Sequence, residues 1–275
     1  MVYKALILER EGPIAIITLN RPDAGNAFDF RLMVEIDNAI KEVAEDSDIR
    51  AVIITGAGKQ FTTGVDLNMF TNAESLIGDD AAEAPAEPNP NDKTYGKGTV
   101  IGAAIRVRTM PKPVIAAVNG AVVGAGFSFC LACDIRIASD RAKFNMVFVK
   151  RGIAPDTGAS FTLPRIIGFP RACEMIFSAE VIEADEAARI GLVNRVVPHD
   201  DLMNAAKELA MKIAKYPPLA VARAKADLYA AAVETDFVTQ LKREEASQSI
   251  LLNTDDFKEA TVAFMEKRPP VFKGK

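Results

Sequence analysis

The chain has 275 residues, of which 49% are hydrophobic, and its 33 Lys+Arg against 37 Asp+Glu give a net charge of -4. That apolar share can bury a large core and excludes global disorder. The mild acidity excludes a general nucleic-acid binder, which needs a basic face.

The first twenty residues carry Lys4, Glu9, Arg10 and Glu11 among short apolar runs. They read as two strands, 3–9 and 14–19, joined at Glu11-Gly12-Pro13, and not as a secretory signal. "NRPDAGNAFD" is loop. From Phe28 to Ala44, apolar residues at 32, 33, 36, 39, 40 and 43 have helical spacing. "AVIIT", 51–55, predicts a buried strand, and "GAGKQFTTGVDL" a glycine-rich turn leading into a helix.

Residues 77–98 break the pattern. Pro85, Pro88 and Pro90, with five acidic residues between 79 and 92, predict a solvated insertion or a flap over a pocket. "PVIAAVNG", 113–120, is the next strand. "AVVGAGFSFCLAC" predicts a turn and a helix, and "DIRIAS" a further strand. After Pro198, four helical segments opened by Asp or Pro follow one another to the C-terminus. The order is α/β and layered, with a core over 1–200 and a helical segment over 201–275. No window approaches 18 apolar residues without a charge, so a soluble, cytoplasmic protein that neither spans nor lies in a membrane is expected.

Cys130 and Cys133 form a C-x-x-C inside apolar helical sequence. With no second pair and His199 the one histidine, buried core thiols are expected and no metal site. Gly124-Ala-Gly126 begins a dinucleotide fingerprint, but Phe129 takes the third glycine position.

Two glycine-containing turns, 61–67 and 120–128, each follow a strand. Past each turn a backbone N–H can project into a shared space, and the second opens a helix whose free N–H groups favour an anion. Two convergent donors suit an oxyanion. "GIAPDTGAS", 152–160, places a single carboxylate, Asp156, beside apolar sequence. It reads either as a helix N-cap or as a general base raised in pKa by an apolar pocket. Asp134 is expected to be a structural turn residue, Asp66 to shape the turn after Val65, and His199 to lie at the surface.

The segments "NRPDAGNAF", "FTTGVDL", "KPVIAAVNGAVVGAGFSFCLACDIRIAS", "KFNMVFVKRGIAPDTGASFTLPRIIG", "ADEAARIGLVNRVVP" and "EKRPPVFKGK" together resemble the crotonase (enoyl-CoA hydratase/isomerase) superfamily. The resemblance spans nearly the whole chain. It implies a crotonase-like spiral of repeated β-β-α units with a helical C-terminal trimerisation segment, assembled as a homotrimer or a dimer of trimers. It implies an acyl-CoA thioester substrate, coenzyme A entering as part of that substrate and no separate cofactor. The thioester oxygen would sit between the N–H groups of Val65 and Ala125. Ala24, Thr63, Asp66, Leu67, Gly124 and Phe148 would line the ligand path, and Lys267 would meet a CoA phosphate.

The positions of the two hydratase glutamates fall on Ser128 and Phe148; neither can act as a carboxylate base, and Phe148 cannot bond a water at all. Asp156 stands where enoyl-CoA and ring isomerases of the family carry their one acid. The resemblance therefore implies a Δ3-Δ2 enoyl-CoA isomerase, moving a proton from C2 to C4. The alternatives are an enoyl-CoA hydratase, an epoxide or ring isomerase of the phenylacetyl-CoA type, a halobenzoyl-CoA dehalogenase, or a non-catalytic CoA-thioester binder.

Overall fold

Two sheets carry the molecule in the computed structural model, which describes residues 2–71 and 95–275. The large sheet has six strands in the order β1 (Leu6–Glu11), β2 (Ile14–Leu19), β3 (Ala51–Gly56), β5 (Val114–Val118), β7 (Ile135–Ser139) and β10 (Arg195–Val197). β1 and β2 form an antiparallel hairpin, and every later pairing is parallel. The small sheet runs β4 (Gln60–Thr62), β6 (Ala121–Val123), β8 (Lys143–Asn145) and β9 (Val181–Glu183).

The chain alternates between the sheets. β3 leads to β4, β5 to β6 and β7 to β8, each pair then giving way to a helix. This is the spiral of β-β-α units that the sequence implied. The strands of the small sheet have three residues each, too few to show a period of two, so the sequence reading folded them into turns and apolar runs.

Parallel strands buried on both faces read as unbroken apolar runs. Val52, Ile54, Ala116 and Val118 face the main core, packed with the first helix, α1 (Phe30–Glu45). Ile53, Ile115, Ala117 and Ile137 face the opposite side, where Leu202, Ala206 and Ala210 of α8 (Leu202–Ala214) cover them. The six apolar positions predicted for α1 are all buried. Asp37 is buried among them, where its carboxylate takes the Arg106 guanidinium and the Gly98 amide. Arg106 lies on α3 (Val100–Thr109).

Helix α4 (Gly124–Ala132) has all nine residues buried, which explains its apolar character on every side. Cys130 and Cys133 are free and buried there, and burial pushes the Cys130 thiol up to about 12. Among the described residues no group of three or more His, Cys, Asp or Glu could hold a metal ion, and no helix is long and apolar enough to cross a membrane. The predicted insertion at 77–98 lies outside the described residues, apart from the turn at 95–98.

The C-terminal helices are α9 (Pro218–Ala231), α10 (Phe237–Leu251) and α11 (Asp255–Glu266). Buried Lys225 of α9 gives hydrogen bonds to the carbonyls of Val107 and Lys112 and an ion pair of 2.8 Å to Asp134. Asp134 also accepts from the Val114 amide at 2.7 Å and the Tyr229 hydroxyl at 2.6 Å. It is a structural residue that ties α9 to the sheet. Removing one partner of a buried pair leaves an uncompensated charge. Lys225→Met is expected to lose about 3 kcal/mol of stability, read as a lowered midpoint in urea unfolding.

Candidate active site

The two glycine turns touch. Gly64 has φ 91°, and a Cβ there would lie 2.8 Å from the carbonyl oxygen of Val123 and 3.6 Å from the Ala125 nitrogen. At Gly126 a Cβ would come within 2.4 Å of Cγ2 of Thr62. Only residues without a side chain let the turn after β4 approach the start of α4 so closely.

That contact brings the two turns, with Val65 and Ala125, to one cavity. Phe28 donates to Gly64 O at 2.7 Å, and Asp66 donates to Phe28 O at 3.0 Å. The pairing straddles Val65, so the Val65 N–H points away from Phe28. Ala125 lies in the first turn of α4, where the N–H has no carbonyl four residues back within the helix. Both residues line one cavity of about 890 Å³.

Of the ten predicted site residues, nine line this cavity: Ala24, Thr63, Val65, Asp66, Leu67, Gly124, Ala125, Phe148 and Asp156. Lys267 is not brought to it. It is exposed and ends α11 in the left-handed conformation, φ 54°. Sequence reasoning missed Asp23, Arg151 and Ile153 on the cavity wall. It also missed Arg21, which pairs with Asp29 at 3.2 Å and Asp66 at 3.1 Å. Asn26 is fully buried and holds the carbonyls of Ala57 and Gln60, fixing the loop that carries Ala24 and Ala27. A buried amide inside loop sequence leaves no periodic signature.

The cavity carboxylates differ. Asp66 accepts from the Asn68 backbone at 3.1 Å and from Arg21, and these bonds hold its pKa below the usual carboxylate range. It is a poor proton acceptor. Asp23 is exposed on a short 3-10 helix, Pro22–Ala24. Asp156 faces the cavity with Val147, Phe148 and Ile153, and desolvation raises its pKa against a downward pull from the Thr157 hydroxyl and its own backbone. The carboxylate is open to solvent through the cavity, but its surroundings penalise the charged form.

The reading of Asp156 as a helix cap is not met. Helix α5 (Ala159–Ile167) is capped at Gly158, with no side-chain hydrogen bond. Phe148 is buried on a 3-10 helix, Val147–Arg151, and lines the cavity. Ser128 is fully buried, and its hydroxyl is turned to the Gly124 carbonyl at 3.3 Å within α4. His199 is half-buried, its amide donating to Asp140 at 3.0 Å.

Residues 9–275 match the family described as enoyl-CoA hydratase/isomerase. The chain belongs to this family. It is 40% identical over 271 residues to a short-chain-enoyl-CoA hydratase of Clostridium acetobutylicum, covering 98% of this chain and 97% of the relative. It is 36% identical to a crotonyl-CoA hydratase of Syntrophomonas wolfei, covering 99% of both. A crystal structure of an enoyl-CoA hydratase from Bacillus anthracis superposes with a TM-score of 0.87 at 32% identity, covering 99% of this chain and 100% of that one. The crotonase superfamily named by the sequence motifs is thus the right one, and an enzyme of acyl-CoA thioesters is the function it supports.

A carboxyl whose folded pKa lies above its unfolded value takes up a proton on folding. Its stability contribution is lost as pH rises through the folded pKa. Asp156→Asn is therefore expected to melt above the wild type at neutral pH. The difference should close below the unfolded carboxyl pKa of about 3.9, read by thermal unfolding across pH.

Proposed function

We propose that this family member isomerises 3-enoyl-CoA thioesters to 2-enoyl-CoA thioesters, with Asp156 as the single acid–base group. The observation that carries the reading is one upward-shifted carboxyl in a cavity that also presents two backbone amides. The thioester oxygen accepts from the N–H groups of Val65 and Ala125. Asp156 takes a proton from C2, the electron pair moves into the dienolate, and the developing charge rests on the thioester oxygen. Asp156 then returns the proton at C4. One group serves both steps because no water is added. A raised pKa brings the acid nearer that of a useful proton carrier at neutral pH.

Ala24, Thr63, Asp66 and Leu67 line the route of the pantetheine and adenine, and Gly124 and Phe148 wall the acyl end. Coenzyme A enters as part of the substrate, and the reading calls for no separate cofactor. The exposed apolar residues of the C-terminal helices, Leu228, Phe237, Phe264 and Met265 among them, support a homotrimer or a dimer of trimers.

A second reading is hydration of 2-enoyl-CoA, and the names of the relatives favour it over isomerisation. Hydration needs an acid–base pair around a water. At the two positions that the family resemblance assigns to that pair, Ser128 bonds within its own helix and Phe148 is apolar.

Incubation with 3-hexenoyl-CoA and with crotonyl-CoA separates the two. The expected outcome is conversion of the first to the conjugated 2-enoyl thioester and slight hydration of the second. Asp156→Asn should lower the isomerisation rate by roughly 10²- to 10⁴-fold. Faster hydration of crotonyl-CoA than isomerisation, or full activity in Asp156→Asn, overturns the proposal.

A further inference from the structure

Asp156 opens a tight turn of unusual composition. The Ala159 amide donates to the Asp156 carbonyl at 3.0 Å, and the two central residues, Thr157 and Gly158, have φ of 51° and 82°. A turn with positive φ at both centres is dominated by Gly, Asn and Asp. A β-branched residue in that conformation is a genuine outlier. Gly158 fits the rule, and Thr157 breaks it.

Thr157 carries a second cost. Its residue is buried, and its hydroxyl, shut off from solvent, meets no partner in full hydrogen-bond geometry. An unpaired buried hydroxyl is unfavourable, and glycine at this position would remove both penalties. Strain of this kind persists where the surroundings over-determine it, and it clusters at functional sites. The neighbour is the carboxylate that faces the cavity.

We propose that Thr157 is a positioning residue, whose hydroxyl turns to donate to one oxygen of ionised Asp156 and so aims the other oxygen at the substrate. The missing geometry lies in the heavy atoms, so the donation calls for a rotation of the Thr157 or Asp156 side chain as well as of the hydroxyl hydrogen. The hydroxyl already lies close enough to the carboxyl to draw its pKa down against the desolvation that raises it. Removing it would leave the desolvation less opposed and the carboxylate less fixed. This inference rests on the reading of Asp156 as the base.

The test uses the full chain and 3-hexenoyl-CoA, with Thr157→Val, Thr157→Gly and Thr157→Ser. Valine keeps the branched shape and loses the hydroxyl. Glycine relieves the turn and loses the hydroxyl. Serine keeps the hydroxyl. The expected result is a kcat lowered roughly tenfold or more in the valine and glycine variants, the rate equivalent of one hydrogen bond. KM should be little changed, and the acid limb of the kcat/KM profile should move to higher pH. Serine should restore both rate and profile. Thr157→Gly should melt above the wild type, so that rate follows the hydroxyl and not the stability of the turn. A wild-type kcat and pH profile in the valine and glycine variants, or a serine variant as impaired as valine, overturns the proposal. Asp156→Asn in the same assay keeps the two readings apart. If it retains turnover, the assignment of the base fails. If it is inactive while Thr157→Val behaves as wild type, only the role of Thr157 fails.

Discussion

The close approach of two backbones governs this site. Gly64, past the end of β4, lies against the Val123 carbonyl and the Ala125 amide, and Gly126 lies against Thr62. Parallel pairing of β4 with β6 brings these two turns together. The isolated bridge between Phe28 and Val65 then settles which way the Val65 amide points. The Val65 amide is held by the bonds its neighbours make with Phe28, and the Ala125 amide by its place in the first turn of α4; in the proposed reaction such fixed donors would need little reorganisation.

The Val65 and Ala125 amides are backbone groups fixed by the fold, whereas the carboxylates of the cavity are side chains. In this chain, Phe148 puts a phenyl ring on the cavity wall, and Ser128 is absorbed into helix α4. Asp66 stays close to the cavity but is held ionised by the Asn68 amide and Arg21. Asp156 comes from the loop that follows the 3-10 helix and, though open to solvent, is pushed toward the neutral form by the desolvating apolar wall around it. Two carboxylates in one cavity therefore have opposite dispositions, set by hydrogen bonds in one case and by desolvation in the other.

A buried polar framework supports this arrangement at a distance. Asp134, at the start of β7, accepts from Val114, Lys225 and Tyr229, joining the sheet to α9. Asp37 joins α1 to α3 through Arg106. Asn26 fixes the loop at the cavity edge. Such groups are costly to bury and are satisfied by partners far along the chain, which is why none of these pairings could be read from local spacing.

By itself the sequence determined the elements with strong periodicity: the strands read at 14–19 and 51–55, the helix read from Phe28 to Ala44 and the helical C-terminus, each within two residues of the observed element where bounds were drawn. It also determined the order of motifs that places the chain in its family, and the odd position of Asp156. These are local or collinear signals, written in spacing. Tertiary structure alone decided that Lys267 is not among the residues lining the cavity, that Asp156 does not cap α5, and that the Asn68 amide and Arg21 together hold Asp66 ionised. It alone showed the strain at Thr157. Each of these depends on dihedral angles and on contacts between residues distant in the chain, and neither is encoded in the composition of any one segment.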